Sequence, residues 1–439
     1  MEAGRDMKKI GGMFWFELLI LLVLSNLAFG SGFEIYQQGA KAVGMGGAFT
    51  AQADDPTAIF FNPAGITQLE RTQVSLGLNV IHPRVTFVSH GNPVMGSFPG
   101  QETECRDHTW FVPNGYVTHK ATDWLSVGLG IFSHFGLGTE WPRNFEGRFS
   151  PGTLKTVLTT YAFNPVIAFA PVNWASFSFG PILEYMDIHL QNFVFLGPPS
   201  PPLTPNRNVS QTAEAKLKGS DLAWGWNGGI LLHLPANFHV GASYLSRISH
   251  EIGSGKQELS LLSNGALIKS QRASSELTLP STFKFGLAWK KDPWTLEADG
   301  QWTEWSTYKK LEAQFSDGTS MIIPKNWRDS WTYAFGAQYA LSRYFDLRAG
   351  FRYGESPIPK STLDPLVPCG IRRTYCCGLG SHFGRLTIDL GYNYVQDEAR
   401  QWNNPSGDVK LGPMTMTRVT GRFKDGEAHL LTANICYRF

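Results

Sequence analysis

Charge is scarce in this chain. Of its 439 residues, 17% are Asp, Glu, Lys or Arg, whereas soluble domains usually carry about 25%. The net charge is +2 and no block of Lys and Arg occurs, so the composition gives no reason to expect a nucleic-acid partner. Beyond Ser31 no apolar run is long enough for a transmembrane helix, which excludes a bundle of membrane-spanning helices.

Cysteines and catalytic motifs are also few. Cys105 and Cys369 fall in predicted outer loops, where an oxidising compartment would permit a disulfide, although spacing cannot fix the pairing. Cys376 and Cys377 are neighbours on a predicted strand, so they point to opposite faces and make poor joint metal ligands. The HExxH, GxSxG and paired CxxC patterns do not occur, nor does a phosphate loop with its lysine. We therefore expect no enzyme and no bound cofactor or metal.

Aromatic residues and glycines, by contrast, are abundant. The chain is 13% aromatic and contains 46 Gly, a composition that suits a barrel of strands with aromatic girdles. The last eleven residues alternate between an apolar and a mixed face, which is the period of a strand with one side in lipid. The strand would also suit a soluble sandwich. Its apolar face consists of Phe439, Tyr437, Ile435, Ala433, Leu431 and His429.

The N-terminus decides between these two readings. Lys8 and Lys9 precede a short apolar run over 13–30 that ends in small residues, the pattern of a secretory signal peptide. A membrane anchor is the weaker alternative, because the run is short and contains Glu17 and Asn26. We expect cleavage after residue 30, export, and insertion into a bacterial outer membrane.

Six short turns alternate with seven long polar segments along the rest of the chain. This alternation predicts an all-β fold, a 14-stranded antiparallel transmembrane β-barrel over 71–439, with the short turns facing the periplasm. The turns are centred on 121–123, 173–174, 235–237, 292–293, 342–343 and 384–385. The long segments are 90–105, 142–155, 196–214, 253–270, 315–325, 355–367 and 401–425.

Strand facing can be predicted from the same alternation. Phe345 and Leu347 would face lipid, which leaves Arg348 inside the barrel, and Asp389 is placed inside in the same way. A slip of one residue would put Arg348 into hydrocarbon, at a cost of roughly 2–4 kcal/mol at the midplane. An inward Arg348 would pair with other lumen charges or bind a ligand.

Residues 31–70 do not fit the strand pattern. They are rich in Gly and Ala and their apolar residues have helical rather than two-fold spacing. A barrel of this size has an interior wide enough to need filling. We therefore expect residues 31–70 to form a plug, or hatch, inside the barrel.

A set of short motifs resembles the FadL-type outer-membrane transporters of long-chain fatty acids and other hydrophobic compounds. The motifs occur in order over nearly the whole chain after residue 30. They are Ser31-Gly32-Phe33, Gly44-Met45-Gly46-Gly47-Ala48, Ala53-Asp54-Asp55, Asn62-Pro63-Ala64, Ile131–Trp141, Leu279-Pro280-Ser281 and Trp327-Arg328-Asp329-Ser330.

The resemblance implies a fourteen-stranded barrel and passive uptake of a hydrophobic ligand. The ligand would leave sideways through a gap made by an inward kink of the third strand next to the hatch. Asn62, Pro63 and Ala64 would form the hatch loop at the kink, and Phe135, Gly136 and Leu137 the kink itself. The glycines of this strand would otherwise only leave room for hatch residues, and Asn-Pro would be an ordinary turn.

The resemblance also implies a ligand site and partners. Two basic side chains meet a fatty-acid head group in the family; one corresponds to Arg328, and the other position holds Asn192 here. His189 or Arg348 would replace the missing charge, or the ligand would be a neutral aromatic hydrocarbon. The expected partners are outer-membrane lipid, lipopolysaccharide and, through the C-terminal strand, the barrel assembly machinery. The protein is expected to be a monomer. A lipid-modifying barrel enzyme, a polar porin and a surface adhesin are the rival readings.

Overall fold

The computed structural model describes residues 32–93, 95–196, 211–403, 409–411, 414–417 and 419–439. The predicted signal peptide and most of the Pro-rich part of loop 196–214 lie outside these residues. The helices are α1 (Ala40–Gly44) and α2 (Ala58–Phe61), with 3-10 turns at Pro63–Gln68, Pro235–Asn237 and Trp305–Thr307. The strands are β1 (Thr72–Asn92), β2 (Ser97–Glu104), β3 (Trp110–Lys120), β4 (Leu125–Phe132), β5 (Gly136–Glu140), β6 (Lys155–Val172), β7 (Ala175–Phe195), β8 (Thr212–Leu234), β9 (Phe238–Leu245), β10 (Ile248–Leu261), β11 (Leu267–Leu279), β12 (Thr282–Lys291), β13 (Trp294–Thr303), β14 (Lys310–Phe315), β15 (Ser320–Pro324), β16 (Ser330–Ala340), β17 (Phe345–Gly354), β18 (Arg372–Phe383), β19 (Leu386–Asp397), β20 (Arg400–Trp402), β21 (Val409–Leu411), β22 (Met414–Thr417) and β23 (Gly421–Arg438).

The long strands form one closed ring. If a strand and its continuation beyond an interruption are counted once, the ring has fourteen antiparallel members, as predicted. Their order is β1, β3, β4 with β5, β6, β7, β8, β9 with β10, β12 with β11, β13 with β14, β16 with β15, β17, β18, β19 and β23. The ladder from Gln73↔Arg438 to Ser89↔Gly421 joins the last strand to the first. Closure removes the free edges that an open sheet would present.

Alternate residues face opposite sides of the wall, as the sequence predicts. On β17 the side chain of Leu347 is 46% exposed, whereas Arg348 is only 4% exposed. On β23 the predicted lipid face, which includes Leu431 and Ile435, is exposed, and Thr432 is buried. The outer surface of the ring is thus apolar and the inner surface polar, which is the arrangement of a membrane barrel.

The six predicted turns are confirmed, but three predicted long loops are wrong. In segment 90–105, β1 continues to Asn92 and pairs with β2, which begins at Ser97. The other two are 253–270 and 315–325. Segment 253–270 is mostly strand, because β10 and β11 extend to a turn at 262–266. Segment 315–325 is also a hairpin, since β14 and β15 are separated only by 316–319. In both places the backbone groups pair with a neighbouring strand beyond the apolar band, so polar side chains there do not indicate a loop.

Residues 32–70, called the inner segment below, lie within the ring. They form hydrogen bonds with strands all around the ring, which is possible only for a segment inside it. Inward glycines give it room: a Cβ on Gly350 of β17 would stand 2.2 Å from the carbonyl carbon of Met45. The bonds around the ring join Gln38 to Tyr116 of β3, Ile59 to Asn227 of β8, Phe49 to Asp299 of β13, and Ala40 to Asn434 of β23.

The two cysteines of the outer loops are free. Cys105 is half-buried and Cys369 is buried, and the disulfide that their loop positions would permit is not formed. Burial raises the pKa of each thiol to about 11, so both stay protonated at neutral pH and react slowly.

Among the described residues, no helix is long and apolar enough to cross a membrane.

Candidate functional site

The third member of the ring is broken where the resemblance implies a kink. β4 ends at Phe132 and β5 begins at Gly136, and the intervening residues, Ser133-His134-Phe135, turn inward and are buried. Residues 133–135 are called the kink below. Leu137 lies in β5 by its backbone, and its side chain is outside what the structure describes.

The backbone groups of the kink are paired partly with the inner segment and partly with a side chain of β6. The N–H of Phe135 donates to Thr160 Oγ1 at 3.2 Å, and the same hydroxyl donates to Phe135 O at 2.8 Å. The N–H of Ile35 donates to His134 O at 2.9 Å, and the N–H of Gly136 donates to Phe33 O at 3.0 Å. The amide of Gln38 donates to Ser133 O at 2.6 Å. Because buried N–H and C=O groups must be paired, the inner segment stabilises the break. Residues 33–35 thus supply what a neighbouring strand would have supplied.

The break leaves a window in the wall between β3 and β5. β3 pairs with β4 only from Gly115 to Lys120, and in the described part of the wall β5 pairs only with β6. The residues of β3 from Trp110 to Asn114 therefore have no ladder partner on this side. Beyond the window the wall closes again, where the Arg106 N–H donates to Glu140 O at 2.7 Å.

Two bulky side chains pack into the window against glycines. A Cβ on Gly136 would stand 2.5 Å from Cδ1 of Ile35, and one on Gly138 would stand 2.0 Å from the Trp110 ring. At both positions a larger residue would therefore collide with the neighbouring side chain. Gly128 and Gly130 of β4 similarly make room for Ile59, so these two glycines, like Gly136, fit the simpler reading of room for residues of the inner segment.

A cavity of about 420 Å3, called the main cavity below, runs through the window. Its inner end is lined by Phe33 and Phe135, which are buried. Its outer end is lined by Phe111 and Tyr161, whose side chains face outward and are 63% and 43% exposed. The cavity thus connects the barrel interior with the lipid-facing surface, and its volume is in the range of small-molecule sites.

An aromatic cluster holds the start of the inner segment at this cavity. The ring of Phe33 lies 4.7 Å from that of Trp305 and 5.9 Å from that of Phe135. Trp327 and Tyr308 complete the cluster at 5.6 and 5.9 Å from Phe33. Trp305 and Trp327 come from two further interruptions of the wall, at 304–309 and 325–329. Rings at these separations attract one another beyond simple burial.

Four of the charged residues that line the main cavity form two ion pairs. Arg372 donates to both oxygens of Asp397 at 2.9 and 3.1 Å, and Arg106 lies 2.7 Å from Glu140. A charge that already has a partner is poorly placed to attract another. The lining is otherwise largely apolar, so the main cavity suits a hydrocarbon portion of a ligand.

The four residues predicted to bind a head group are not brought together. None of them lines the main cavity, and no hydrogen bond or ion pair within the described residues joins any two. Arg328, in the interruption at 325–329, is exposed beside the buried Trp327. His189 shares the outward-facing parity of Tyr185 on β7. Asn192 contacts the backbone of Gly152 at 3.4 Å.

Arg348 points inward as predicted, but its partners are carboxylates of the barrel. It lies 2.5 Å from Asp389 and 3.2 Å from Asp346, and it donates to Gln338 at 2.9 Å. Its side chain is fully buried, with Cβ near Gly44 and Gly378 and the guanidinium against Gly380. Of the two readings from the sequence, the pairing of lumen charges is the one that this geometry supports.

Asn62, Pro63 and Ala64 are all buried, but they do not pair with the kink backbone. The Asn62 amide donates to Thr50 O at 2.8 Å and to Ile230 O of β8 at 2.9 Å. Its side-chain oxygen accepts from Ala64 N–H at 3.2 Å, which caps the 3-10 turn that Pro63 begins. The motif therefore fixes the inner segment to β8, and residues 33–35 fill the break.

Sequence reasoning missed several residues of this site, including Ile35, Trp110, Trp305 and Tyr308. The available signal was the loss of alternation at 133–135, 304–309 and 325–329. A contact between residues as distant in the chain as Phe33 and Trp327 cannot be predicted from one sequence, because it leaves no local pattern.

Comparison with known proteins agrees with this geometry. The family described as outer membrane protein transport protein (OMPP1/FadL/TodX) matches residues 21–439. The long-chain fatty acid transport protein of Escherichia coli O6:H1 is 26% identical over 454 aligned positions, 95% of this chain and 96% of the relative. A Pseudomonas aeruginosa FadL homologue of known structure has a TM-score of 0.78 at 21% identity, covering 93% of this chain and 100% of that one. The Pseudomonas putida toluene transporter TodX has a TM-score of 0.68 at 16% identity, covering 93% and 99%.

At these identities the two solved structures show the fold alone. The family, by contrast, matches nearly the whole chain. With a closed barrel, an apolar outer face and a broken third strand, this protein belongs to the OMPP1/FadL/TodX family of transport proteins of the bacterial outer membrane.

Proposed function

We propose that this protein is a channel for the passive, gradient-driven uptake of hydrophobic small molecules, with long-chain fatty acids as the main substrate class. The observation that supports this most directly is the main cavity, which extends from Phe33 and Phe135 through the window to the lipid-facing side chains of Phe111 and Tyr161. A ligand in this cavity can reach the bilayer without passing the short-turn end of the barrel.

Lateral exit is favoured by the chemistry of the ligand. An apolar solute gains nothing on release into periplasmic water, whereas transfer from an apolar cavity to lipid keeps its surface out of water throughout. In this proposal Phe135, Gly136 and Leu137 form the gate. Residues 31–70 form the hatch, with Asn62, Pro63 and Ala64 fixing it to the wall.

A neutral aromatic hydrocarbon is the second candidate substrate. It is favoured by the pairing of Arg372 with Asp397 and of Arg106 with Glu140, because these four charges at the main cavity already neutralise one another. The relatives include proteins named for each class, a long-chain fatty acid transport protein and a toluene transporter.

The remaining features follow from a transporter in the outer membrane. We propose cleavage of residues 1–30, contact of the apolar outer face with lipid and lipopolysaccharide, and a monomeric barrel. The C-terminal strand, with its exposed apolar face ending at Phe439, suits recognition by the barrel assembly machinery. A lipid-modifying enzyme is disfavoured, since the relatives named above are transport proteins.

The gate is tested by Gly136→Phe. A phenyl ring at this position would displace Ile35 and fill the main cavity at the window, so uptake of labelled oleate by cells should fall by about tenfold or more while barrel assembly is preserved. Assembly is checked by the heat-modifiable migration of the folded barrel on gels. Gly253→Phe is the matched control, because a Cβ there meets nothing within 4 Å. Normal uptake by an assembled Gly136→Phe protein would contradict the lateral route.

A further inference from the structure

A second, smaller cavity lies directly behind the kink. It has a volume of about 20 Å3, enough for one water molecule, and is called the polar recess below. Its lining includes Phe60, His134, Thr282 and Lys284. Glu34 and Phe135 line both the polar recess and the main cavity, so these two residues form the partition between them.

Lys284 brings a positive charge without a carboxylate partner to this recess. It occupies an inward position of β12, and no carboxylate oxygen of the described residues lies within 4.0 Å of its Nζ. Its ammonium group instead lies 4.2 Å from the ring centre of Phe60 and 5.3 Å from that of Phe61. Aromatic faces attract a cation but compensate only part of its lost hydration.

The acids that act electrostatically on Lys284 are held by other donors. Asp299 accepts from the backbone N–H groups of Phe49 and Thr50, both at 2.9 Å. Glu34 accepts from the amide of Gln301 at 2.6 Å. Neither acid is placed to form a direct ion pair with Lys284.

Thr282 supplies a second unused donor at the same place. It stands two residues before Lys284 on the same face of β12, and its side chain is 2% exposed. Within the described residues its Oγ1 has no hydrogen-bond partner. A buried hydroxyl without a partner is uncommon, because leaving it unpaired costs roughly 1–3 kcal/mol.

We propose that the polar recess is a subsite for the carboxylate of a ligand whose hydrocarbon tail occupies the main cavity. Lys284 supplies the charge and Thr282 the second hydrogen bond, which together match the two oxygens of a carboxylate. This proposal rests on the proposed function and names hydrophobic carboxylic acids as the ligand class that this chain distinguishes from neutral hydrocarbons.

Occupation of the recess requires the partition to open. Glu34 and Phe135 are joined by a single isolated β-bridge, not by a continuous ladder, so their separation breaks two backbone hydrogen bonds, those of Ile35 and Gly136, and the ring contact of Phe33 with Phe135. The arriving carboxylate has the same charge as Glu34, so the two repel each other at short distance. Binding of an acid is thereby coupled to release of residues 33–35 from the kink, whereas binding of a neutral ligand is not.

The test compares two ligands that differ only in the head group. Binding of oleate and of oleyl alcohol to the purified protein in non-ionic detergent is measured for the wild type, Lys284→Met and Thr282→Val. Lys284→Met should weaken oleate binding by roughly 10- to 100-fold, and Thr282→Val by roughly 3- to 10-fold, since each removes a hydrogen bond to a charged group. Binding of oleyl alcohol should be unchanged in both variants.

Lys290→Met is the matched control. Lys290 faces inward on the same strand but is paired with Asp54 at 3.3 Å, so its removal should not change the preference for oleate over the alcohol. Heat-modifiable migration on gels confirms that each variant is a folded barrel.

The outcomes separate this proposal from the proposed function. If the wild type binds neither ligand, the proposed function fails. If the wild type binds both and Lys284→Met binds oleate equally well, or loses both ligands equally, the recess is not a carboxylate site and the uptake function stands. A further measurement compares how strongly acetate alone and oleate protect the wild type against thermal unfolding. Protection of the wild type against thermal unfolding by acetate as strong as that by oleate would assign the recess to a free anion and overturn the head-group proposal.

Discussion

At the scale of single residues, side chains of the same charge have different roles because their partners differ. Arg348 and Lys284 both face the inside of the barrel, and sequence alone cannot separate them. Arg348 is neutralised by Asp346 and Asp389, whereas Lys284 faces aromatic rings. A buried cation with carboxylate partners supports the fold, and one without them is available to a ligand.

This difference predicts the behaviour of Arg348→Gln. Removing the guanidinium leaves the buried Asp389 without a counter-charge and Asp346 with only His382 at 2.8 Å, so the free energy of unfolding should fall by about 3–5 kcal/mol. Affinity for oleate should stay within about twofold of the wild type, because Arg348 does not line the main cavity. Urea-induced unfolding and equilibrium binding measure the two quantities.

Arg328→Gln is the companion variant. Its side chain is exposed, so both stability and oleate affinity should be nearly unchanged. A large loss of oleate affinity in either variant would restore the head-group role that the resemblance implies for these residues.

At the scale of elements, breaks in the strands are what create the site. The break at 133–135 opens the window, and those at 304–309 and 325–329 direct Trp305 and Trp327 inward onto Phe33. The inner segment bonds to backbone groups at the first break and packs Phe33 on the aromatic rings of the other two. The structure of the window therefore depends on the contacts of the inner segment.

Phe33→Ala tests this coupling. Loss of the ring from the aromatic cluster should weaken local packing by about 3–5 kcal/mol. The amides of Ile35 and Gly136, which are bonded across the kink, should then exchange with deuterium at least tenfold faster. Mass spectrometry of peptides covering these residues measures the exchange.

Phe98→Ala is the control, since Phe98 is exposed on β2. Unchanged exchange at Ile35 in the Phe33→Ala protein would mean that the aromatic cluster does not hold the inner segment against the kink.

At the scale of the whole molecule, two carboxylates fix the middle of the inner segment to the wall. Glu297 accepts from the N–H groups of Ala51 and Gln52 at 2.6 and 2.9 Å, and Asp299 accepts from those of Phe49 and Thr50. Four consecutive backbone donors are thereby tied to neighbouring inward positions of β13. This anchor keeps the bore obstructed.

The double variant Glu297→Ala with Asp299→Ala should release this anchor. The wild type is expected to show little ion conductance in planar bilayers, and the variant frequent open events, because an unanchored segment leaves a polar bore accessible to ions. Glu104→Ala with Glu276→Ala removes two exposed acids and serves as the control. Equal conductance of the variant and the wild type would show that the segment is held without these bonds.

The barrel itself was predictable from the sequence, and so was the facing of Leu347 and Arg348. The period of two and the short turns depend on neighbours along the chain, and lipid on the outside penalises any other register. The extent of β10 and β11 was not predictable in this way. Beyond the apolar band nothing in the solvent distinguishes a polar strand from a polar loop.

By itself, therefore, the sequence determined a closed barrel wall with an apolar outer face, preceded by a segment after residue 30 that does not follow the strand pattern. Only the tertiary structure decided that residues 33–35 pair with the kink, that Arg328 lies outside the cavity, and that Lys284 and Thr282 meet behind Phe135. The physical reason is that local periodicity determines the direction in which a side chain points, whereas its partner across a bore depends on how the whole ring closes.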